Sequence, residues 1–396
     1  MRPHYEVLII GAGPYGSLLA NKLATDGVRV LVLEEHQHVG LPDHCAGLIS
    51  IRTLEKIAPS TSPVLAKIRG ARIYPPSNCT PIVVMAPRPT AVVVDRPLLD
   101  SALASAAESS GATIMPACPA SDLKILKHCV SVTTPRGEFL ANLAVLATGA
   151  CRLLPLRAGF TKPQGVIPAL QADVTGLDIE GDMVELYLSN KLFKGLFAWA
   201  VPRGDNVTRI GVVGKHPRAK LRLILKRIKQ RSARRPHVLA YYGGAVITGG
   251  ALRKLHSNRT LVVGDAAGQT KPTTGGGLAF AKDTTDIAHD VIKGALERQQ
   301  GLADYTREWW RRFGKEILWM AFLRSFLNTL SDEALDAMFA LVKEAGFEEL
   351  ALSWGDMDRQ AGFILRASLA SIGAAIKHPD LAVSLVLSIA RAFFQL

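Results

Sequence analysis

The chain has 396 residues, 48% of them hydrophobic, and a formal net charge of +13. This length allows two or three domains, and the hydrophobic content argues against global disorder. No stretch reaches ~18 consecutive apolar residues, and residues 1–4 lack the charged-then-apolar layout of a signal peptide. We therefore expect a cytoplasmic protein without a membrane-spanning helix.

The first predicted elements form a βαβ unit. An apolar run at residues 6–10 predicts a buried parallel strand, and a glycine-rich turn follows it at once. Residues 17–25 have the apolar spacing of a helix, and residues 28–33 predict a second strand. This strand ends at Glu34 and Glu35. The unit has the size and order expected of a dinucleotide-binding fold.

The turn itself follows the GxGxxG pattern, with Gly11, Gly13 and Gly16 in the three glycine positions. The first glycine permits the tight turn, the second lets a pyrophosphate approach the backbone, and the third lets the helix pack on the strand. The helix N-terminus offers free N–H groups to phosphate. Glu34, 23 residues after Gly11, is placed to accept hydrogen bonds from ribose hydroxyls.

The middle of the chain continues the nucleotide domain and then changes character. Strands are predicted at 92–94 and 143–146, with a helix over 96–110. Alternating polar and apolar residues from about 162 to 248 predict an antiparallel sheet. Residues 215–235 interrupt it with ten Lys or Arg and no acidic residue, in the spacing of a basic amphipathic helix.

A second glycine segment, Gly264-Asp265-Ala266-Ala267-Gly268, follows a buried strand at 261–263. The glycines Gly275 to Gly277 come next, before a helix over 278–292. Asp265 can bind a ribityl chain or approach the pyrophosphate, and the bare glycine backbone can approach a flavin ring or the ribityl phosphate. Because the chain returns to one dinucleotide from two distant segments, we predict FAD bound in an extended form. From residue 305 onward the sequence predicts helices only, with an aromatic cluster that includes Trp309, Phe313, Phe322 and later Phe393-Phe394.

These residues resemble the geranylgeranyl reductase family of flavoproteins, within the p-hydroxybenzoate hydroxylase-like fold, over roughly residues 5–295. Val94-Asp95-Arg96 resembles the family's arginine segment, which implies that Arg96 contacts FAD. Asp43-His44-Cys45-Ala46-Gly47 resembles its cysteine-bearing flavin loop. The segment 195–202, with Trp199 and Pro202, resembles its YxWxFP motif, and Ala120 falls where a strand backbone would meet the adenine.

The chain departs from the family pattern at three places. Tyr15 replaces the usual Ala in the glycine turn. Phe197 and Val201 replace the Tyr and Phe of the YxWxFP motif. Thr148-Gly149 stands where hydroxylase relatives have Asp-Gly, a pair linked with NAD(P)H handling, which weakens the case for direct reduction by a nicotinamide.

Cys45 and Trp199 are the predicted catalytic residues. Near the flavin, Cys45 either donates the proton that completes alkene reduction or belongs to a loop that switches with flavin redox state. A water molecule is an equally good proton donor, and the alternative for Cys45 itself is simple packing. Trp199 is either one wall of an apolar isoprenoid tunnel or ordinary core. The same alternatives apply to the C-terminal aromatic residues.

The other cysteines suggest no further site. Cys45, Cys79, Cys118, Cys129 and Cys151 are odd in number and lack CxxC spacing, so neither a disulfide framework nor a metal site is predicted. The basic charge indicates either a solvated surface or attraction to phosphate, on a lipid head group or an anionic membrane. If the partner is a membrane, the protein would be peripheral at its inner face. No nucleic-acid-binding module is present, and no nucleic-acid partner is predicted.

The predicted fold is α/β, with a Rossmann-like FAD domain, an inserted antiparallel β-sheet substrate domain and a helical C-terminal region. The FAD domain takes 1–70, 92–160 and 250–300; the substrate domain takes 71–91 and 161–249; the helical region takes 301–396. The predicted cofactor-binding residues are Gly11, Ala12, Gly13, Pro14, Tyr15, Gly16, Glu34, Glu35, Cys45, Ala46, Gly47, Arg96, Ala120, Gly149, Gly264, Asp265, Gly276, Gly277 and Leu278.

The resemblance implies FAD-dependent reduction of C=C bonds in geranylgeranyl-type isoprenoid chains, of archaeal-type glycerophospholipids or geranylgeranyl diphosphate. The electron donor implied is a ferredoxin, a deazaflavin or NAD(P)H. Two alternatives stay open on the same residues. One is a flavin monooxygenase or halogenase, and the other is a membrane-associated electron-transfer flavoprotein that changes no lipid.

Overall fold

The computed structural model describes residues 4–58, 63–77, 80–298, 300–377, 379–380 and 382–383. The strands are His4–Ile10 (β1), Val30–Leu33 (β2), Leu48–Ser50 (β3), Val64–Ile68 (β4), Gly70–Tyr74 (β5), Ile82–Met85 (β6), Ala91–Val94 (β7), Thr113–Met115 (β8), Asp122–Ile125 (β9), Val130–Thr134 (β10), Gly137–Leu146 (β11), Val166–Thr175 (β12), Met183–Leu188 (β13), Phe197–Pro202 (β14), Thr208–Val213 (β15), His237–Ile247 (β16), His256–Ser257 (β17) and Thr260–Val262 (β18). The helices are Pro14–Thr25 (α1), Ile51–Ile57 (α2), Arg96–Ser109 (α3), Leu153–Arg157 (α4), Asn190–Phe193 (α5), Pro217–Lys229 (α6), Ala281–Arg298 (α7), Ala303–Thr329 (α8), Asp332–Glu344 (α9), Phe347–Trp354 (α10) and Ala361–Lys377 (α11).

An eight-stranded sheet carries the first glycine turn. Its main order is β17-β18-β11-β1-β2-β8, and β10 and β9 extend it antiparallel from β11. β1 lies at its centre and pairs in parallel with β11 and β2, so that Ile9 is opposite Val145 on one side and Val32 on the other. The apolar second half of β1, Val7–Ile10, follows from this position, because a central parallel strand is covered on both faces.

Helix α1 begins where the sequence permits a helix to begin. Gly13 is its N-cap residue and Pro14 occupies the first helical position, where the missing N–H costs nothing. Leu19 and Leu23 are fully buried, and each such burial contributes about 1.5–3 kcal/mol. α1 packs between α3 and α7, so the N-terminus of the helix is fixed at the carboxyl end of β1.

A seven-stranded sheet occupies the region predicted to be antiparallel. Its order is β16-β12-β15-β14-β13-β5-β6. Every neighbouring pair is antiparallel except β13 with β5, which is parallel, so the purely antiparallel prediction was wrong at that position. The reason is that β5 and β6 come from the N-terminal part of the chain and join the sheet at the edge of β13. Helix α6 packs on β15 and β12 with Leu221, Ile224 and Ile228 buried.

The strand predicted at 92–94 is confirmed as part of β7, but it does not join the eight-stranded sheet. β7 is the middle strand of a three-stranded antiparallel sheet with β3 and β4. Asp95 ends this strand and caps α3, because its carboxylate accepts a hydrogen bond from the backbone N–H of Leu98. The small sheet therefore places Arg96, at the start of α3, next to the loop that leads into β3.

The C-terminal region is helical from α8 to α11, as predicted, and Phe393-Phe394 lie outside the described residues. Trp309 and Phe313 of α8 are fully buried and pack against Phe280 with ring centroids 5.2–6.5 Å apart. For these two residues the packing interpretation is the one the structure supports. Among the described helices, none combines the length and hydropathy needed to cross a bilayer.

Candidate functional site

The three glycines of the first turn have three different environments. Gly11 has φ +106°, and a Cβ there would lie 2.3 Å from the carbonyl oxygen of Ala147. A Cβ on Gly16 would lie 1.9 Å from the carbonyl oxygen of Gly11. At Gly13, by contrast, no atom comes within 4 Å of the Cβ position. The turn and the helix packing thus need Gly11 and Gly16, while Gly13 faces open space in front of the N-terminus of α1.

Glu34 lies at this turn, as the sequence predicts. Its Oε2 accepts a hydrogen bond from the backbone N–H of Ala12 at 2.9 Å, and its Oε1 accepts one from the N–H of His36 at 2.9 Å. The carboxylate is almost fully buried against the glycine turn. Glu35, the next residue, is exposed beyond the strand end. Of the two acidic residues, it is therefore Glu34 that lies against the glycine turn.

The second glycine segment meets the first. Gly264–Ala267 forms a short 3-10 turn directly after β18, and a Cβ on Gly277 would lie 3.1 Å from Oδ1 of Asp265. The Tyr15 hydroxyl donates a hydrogen bond to the carbonyl of Gly277 at 2.8 Å. Gly276 and Leu278 flank that contact, and Leu278 begins a further 3-10 turn. Tyr15, the departure from the family pattern, thus connects the two glycine segments.

Arg96 links the same region to Cys45. Its Nε and Nη2 donate to the two carboxylate oxygens of Asp100, both at 3.0 Å, and the guanidinium is near enough to Cys45 for the two side chains to interact electrostatically. Burial has the largest single effect and lowers the pKa of Arg96, but the combined interactions with Asp100 and Cys45 outweigh it, so the net pKa is raised and Arg96 stays protonated. The side chain predicted to contact FAD is therefore a fixed positive charge beside the cysteine.

The carboxyl of Asp265 has a raised pKa. Burial raises the pKa of its carboxyl, and the positive charge of Arg96 opposes this only in part. No described residue donates a hydrogen bond to this carboxylate, which is half-buried. Helix α1 likewise has no side-chain cap. The unmet acceptor at Asp265 and the uncapped N-terminus of α1 at Gly13 fit a dinucleotide with hydroxyl and phosphate groups.

The predicted flavin loop is held by the seven-stranded sheet. Arg209 is fully buried, and its Nη1 donates to Oδ2 of Asp43 at 2.7 Å and to the carbonyl of Cys45 at 2.6 Å. Its Nε and Nη2 donate to both oxygens of Asp173, at 2.7 and 2.8 Å. Gly47, which directly follows Ala46, has φ +80° and lies against the carbonyl of Val94. The position of Cys45 is thus set by residues of β12 and β15.

Arg209 and Asp173 were not predicted as site residues. They are directly opposite each other on β15 and β12, and no other charged residue lies on either strand. A charged residue in an otherwise buried strand is the signal that indicates them, since such residues are rarely buried without a partner. The partner Asp43 is 166 positions away in the chain, and nothing local in the sequence points to it.

Trp199 faces the same side of the sheet. It lies opposite Gly211 of β15, and a Cβ on Gly211 would lie 2.0–2.4 Å from atoms of the indole ring. The indole therefore lies across the neighbouring strand. The ring of Phe197 meets it edge-on, with centroids 6.4 Å apart. Both aromatic residues are half-buried, which leaves an apolar surface beside the Cys45 loop.

The remaining predicted residues have mixed outcomes. Gly149 follows β11 with φ +56°, and its Cβ position is open, as for Gly13. Ala120 is not in a strand; it lies in the loop between β8 and β9, so the prediction of a strand backbone at that residue was wrong. The cause is the proline at 119, which has no N–H for a strand ladder.

A segment of the C-terminal region closes over the second glycine loop. Lys271 is buried, its Nζ donates to the carbonyl of Met357 at 2.7 Å, and Asp358 lies 3.7 Å away. Asp358 also accepts hydrogen bonds from Ser50 and Thr53 at the start of α2. Burial lowers the pKa of Lys271, and the two aspartates at 356 and 358 oppose it. One segment thus joins the glycine loop to the end of the cysteine loop.

The basic helix predicted at 215–235 is α6, which spans Pro217–Lys229. Its apolar face, formed by Leu221, Ile224 and Ile228, is covered by the seven-stranded sheet, whereas Leu223 on the solvent side is 52% exposed. Arg218, Arg222, Lys226 and Lys229 are exposed along one side of the helix. The apolar face is therefore unavailable to a membrane, and any contact with an anionic surface would be made by the basic side chains.

This architecture is that of known flavoproteins. A family model described as FAD binding domain matches residues 4–58. The geranylgeranyl bacteriochlorophyll reductase-like protein of Thermoplasma acidophilum superposes with a TM-score of 0.83 at 24% identity, over 96% of this chain and 99% of that one. The p-nitrophenol 4-monooxygenase PnpA of Pseudomonas putida gives 0.69 at 16% identity, over 94% and 99%. The chain has a Rossmann-type FAD-binding fold, and its cofactor is FAD.

Relatives found by sequence similarity are named as reductases. The chain is 29% identical to a digeranylgeranylglycerophospholipid reductase of Methanothrix thermoacetophila, over 88% of this chain and 93% of that protein. It is 29% identical to digeranylgeranylglycerophospholipid reductase 2 of Methanothermobacter thermautotrophicus, over 84% and 90%. The protein is an FAD-dependent oxidoreductase. Its resemblance to geranylgeranyl reductases, predicted from the glycine segments and the cysteine loop, is confirmed.

Proposed function

We propose that the protein reduces C=C bonds in geranylgeranyl-type isoprenoid chains, carried by archaeal-type glycerophospholipids or by geranylgeranyl diphosphate. The observation that supports this most directly is the placement of Cys45. Its thiol lies within electrostatic reach of Arg96, and its carbonyl is bound by Arg209 of the sheet that presents Trp199. One residue thus lies between the cofactor segments and an apolar surface. The names of the curated relatives support the choice of substrate.

Each bound part of FAD has residues that would hold it. The N-terminus of α1 at Gly13 would take the pyrophosphate, Glu34 the adenosine ribose, and Asp265 the ribityl hydroxyls. Gly276, Gly277 and Leu278 would approach the flavin ring. Once bound and reduced, FAD supplies a hydride to one alkene carbon. An isolated alkene has no carbonyl to polarise it, so a proton must reach the other carbon from a well-placed donor.

In this proposal Cys45 supplies that proton. The guanidinium of Arg96 stabilises the negative charge that remains on sulfur after the transfer. Trp199 and Phe197 exclude water and hold the isoprenoid chain by apolar contact. Two electrons and two protons are thus added for each C=C bond, and an external donor (a ferredoxin, a deazaflavin or NAD(P)H) returns the cofactor to its reduced form.

We also propose that the basic side of α6 attracts the phosphate of the substrate or the anionic membrane in which it resides. The segment 215–235 contains no acidic residue, and four cationic side chains line the exposed side of the helix. Long-range attraction of this kind raises the local concentration of an anionic partner, and salt weakens it.

The decisive experiment is anaerobic. The purified protein with FAD and dithionite is incubated with a geranylgeranylated phospholipid, and the products are analysed by mass spectrometry. We expect stepwise gains of two hydrogens that require both FAD and reductant. Cys45→Ser should lower the rate at least ~100-fold, the low end for loss of a general acid. Cys151→Ser, at an exposed cysteine away from this loop, should not.

The alternatives give different results in the same assay. Normal bleaching of FAD with unchanged lipid would reject this substrate and leave an electron-transfer flavoprotein, which a partner protein should reoxidise. Oxygen-dependent incorporation of oxygen or halide would instead identify a monooxygenase or halogenase. Full activity of Cys45→Ser with lipid reduction intact would assign proton donation to water.

A further inference from the structure

Gln171 of β12 occupies the middle of one cross-strand row. The row runs from Tyr242 of β16 through Gln171 and Gly211 to Trp199 of β14. Because Gly211 has no side chain, the indole crosses it, and Nε1 of Trp199 donates to Oε1 of Gln171 at 3.2 Å. Side chains that are two strands apart are brought into contact in this way.

The other end of the same amide reaches the cysteine loop. Nε2 of Gln171 donates to the backbone carbonyl of His44 at 2.8 Å. Arg209 binds the next carbonyl, that of Cys45, so two consecutive carbonyls of the loop are held by the seven-stranded sheet. The Gln171 side chain is almost fully buried. It is the one described side chain that hydrogen-bonds both Trp199 and the backbone of this loop.

We propose that Gln171 is a positioning residue that couples the orientation of Trp199 to the position of Cys45. The amide group has one acceptor and one donor end, and each contact fixes which end points where. If the indole moves away, the amide is free to turn, and its donor no longer holds the His44 carbonyl. The role of this coupling in lipid reduction rests on the proposed function, in which Trp199 contacts the isoprenoid chain and Cys45 donates the proton.

The coupling predicts how Cys45 reacts with a thiol reagent. In the FAD-loaded protein, alkylation of Cys45 by iodoacetamide is followed by mass spectrometry of its peptide. Trp199→Phe removes the indole N–H and Gln171→Leu removes the amide. Each should increase the Cys45 alkylation rate at least threefold, and the double variant should match the faster single variant instead of multiplying the two effects.

Controls separate coupling from general loosening. Trp310→Phe removes another indole hydrogen bond, to the carbonyl of Leu252 at 3.1 Å, and should leave Cys45 alkylation unchanged. Cys118, which is fully buried, should stay unreactive in every variant. FAD stoichiometry and the thermal transition establish that each variant is folded.

Gln171→Glu keeps the hydrogen bond with Trp199 and removes the one with the His44 carbonyl. A carboxylate still accepts from the indole but cannot donate to the His44 carbonyl, so Cys45 alkylation should rise while Trp199 stays in place. With a lipid substrate, this variant should lower kcat several-fold with KM unchanged.

Unchanged Cys45 alkylation in Trp199→Phe, or effects that multiply in the double variant, would overturn the coupling. The alkylation needs no lipid, so coupled alkylation without lipid reduction would reject the proposed function and leave the inference intact.

Discussion

The Tyr15 hydroxyl donates a hydrogen bond at 2.8 Å to the carbonyl of Gly277, 262 positions away in the chain. This bond joins the first glycine turn to the loop of the second glycine segment. A residue that departs from the family pattern therefore contributes to the shape of the cofactor site. Its phenol is buried, and burial raises the pKa of Tyr15 well above its usual value, so it is a neutral donor at physiological pH.

Tyr15→Phe should weaken this connection while keeping the ring. We expect a loss of about 1 kcal/mol in the free energy of unfolding, the usual net value of one hydrogen bond, and about fivefold weaker FAD binding. Denaturant unfolding and FAD fluorescence titration measure the two effects. Tyr241→Phe, at an exposed tyrosine, is the matched control. Equal FAD affinity in Tyr15→Phe and the control would show that the bond does not shape the site.

Gly13→Ala should separate cofactor binding from folding. The Cβ position at Gly13 is open, so the apo-protein should lose less than about 1 kcal/mol in stability. The methyl group would occupy the space in front of α1, and FAD binding should weaken at least ~10-fold. Gly181→Ala, also in open space, should change neither quantity. Unchanged FAD affinity in Gly13→Ala would show that the pyrophosphate does not bind in front of Gly13.

Asp265→Asn tests an unpartnered carboxylate. The folded pKa of Asp265 is raised, so between about pH 3.9 and that raised value the folded state binds more protons than the unfolded state. Stability contributed by this group therefore falls as pH rises through the window, and at pH 7 the charged form destabilises the apo-protein. The variant should be more stable than wild type at pH 7, by about 1 kcal/mol, and equal to it near pH 4.

The same substitution should weaken FAD binding, because the amide is a poorer acceptor for ribityl hydroxyls. Thermal unfolding of apo-protein at the two pH values, with Asp290→Asn as an exposed control, measures the stability effect. A less stable apo-variant at pH 7 would mean that the carboxylate has a protein partner.

Lys271→Met tests the buried ammonium. Its folded pKa is lowered, so between that value and about 10.4 the unfolded state binds more protons, and the stability of the wild type should rise with pH across this window. The variant should lack this rise. Urea unfolding at pH 7 and pH 9.5 measures the slope, and Lys124→Met is an exposed control. Parallel slopes in Lys271→Met and wild type would show that Lys271 is solvated.

Charge reversal on α6 tests attraction to anionic lipid. Arg222→Glu with Lys226→Glu should reduce binding to phosphatidylglycerol vesicles several-fold at low salt, and the difference should shrink as salt is added. Lys124→Glu with Lys127→Glu makes the same change in net charge at the other sheet and should have little effect. Equal loss in both pairs would indicate an effect of net charge alone.

The local parts of the site were predictable from the sequence, and the parts formed by distant segments were not. Gly11, Gly13 and Glu34 lie in one βαβ unit, whose strand, turn and helix each have a short-range signal. The ion pairs of Arg209 with Asp43 and Asp173 depend on the register between strands and on a loop from another part of the chain. Such contacts follow from tertiary packing, which periodicity does not encode.

The parallel pairing of β13 with β5 is a second example. Alternation predicts a strand with one covered face, but it does not identify the neighbouring strand or its direction. Tyr15 is a third. The sequence indicates only a departure from a family pattern, whereas the fold shows its partner at Gly277.

The distance in sequence between Tyr15 and Gly277 also bears on biosynthesis. β1 pairs with β11, which ends at Leu146, and the second glycine segment follows β18, so the chain must be synthesised at least to Gly277 before the two glycine segments can meet. Long-range pairing of this kind slows folding and exposes unpaired strands in the meantime. Nascent chains should therefore depend on chaperones and on riboflavin supply, and cofactor starvation should lower the cellular amount of the protein itself.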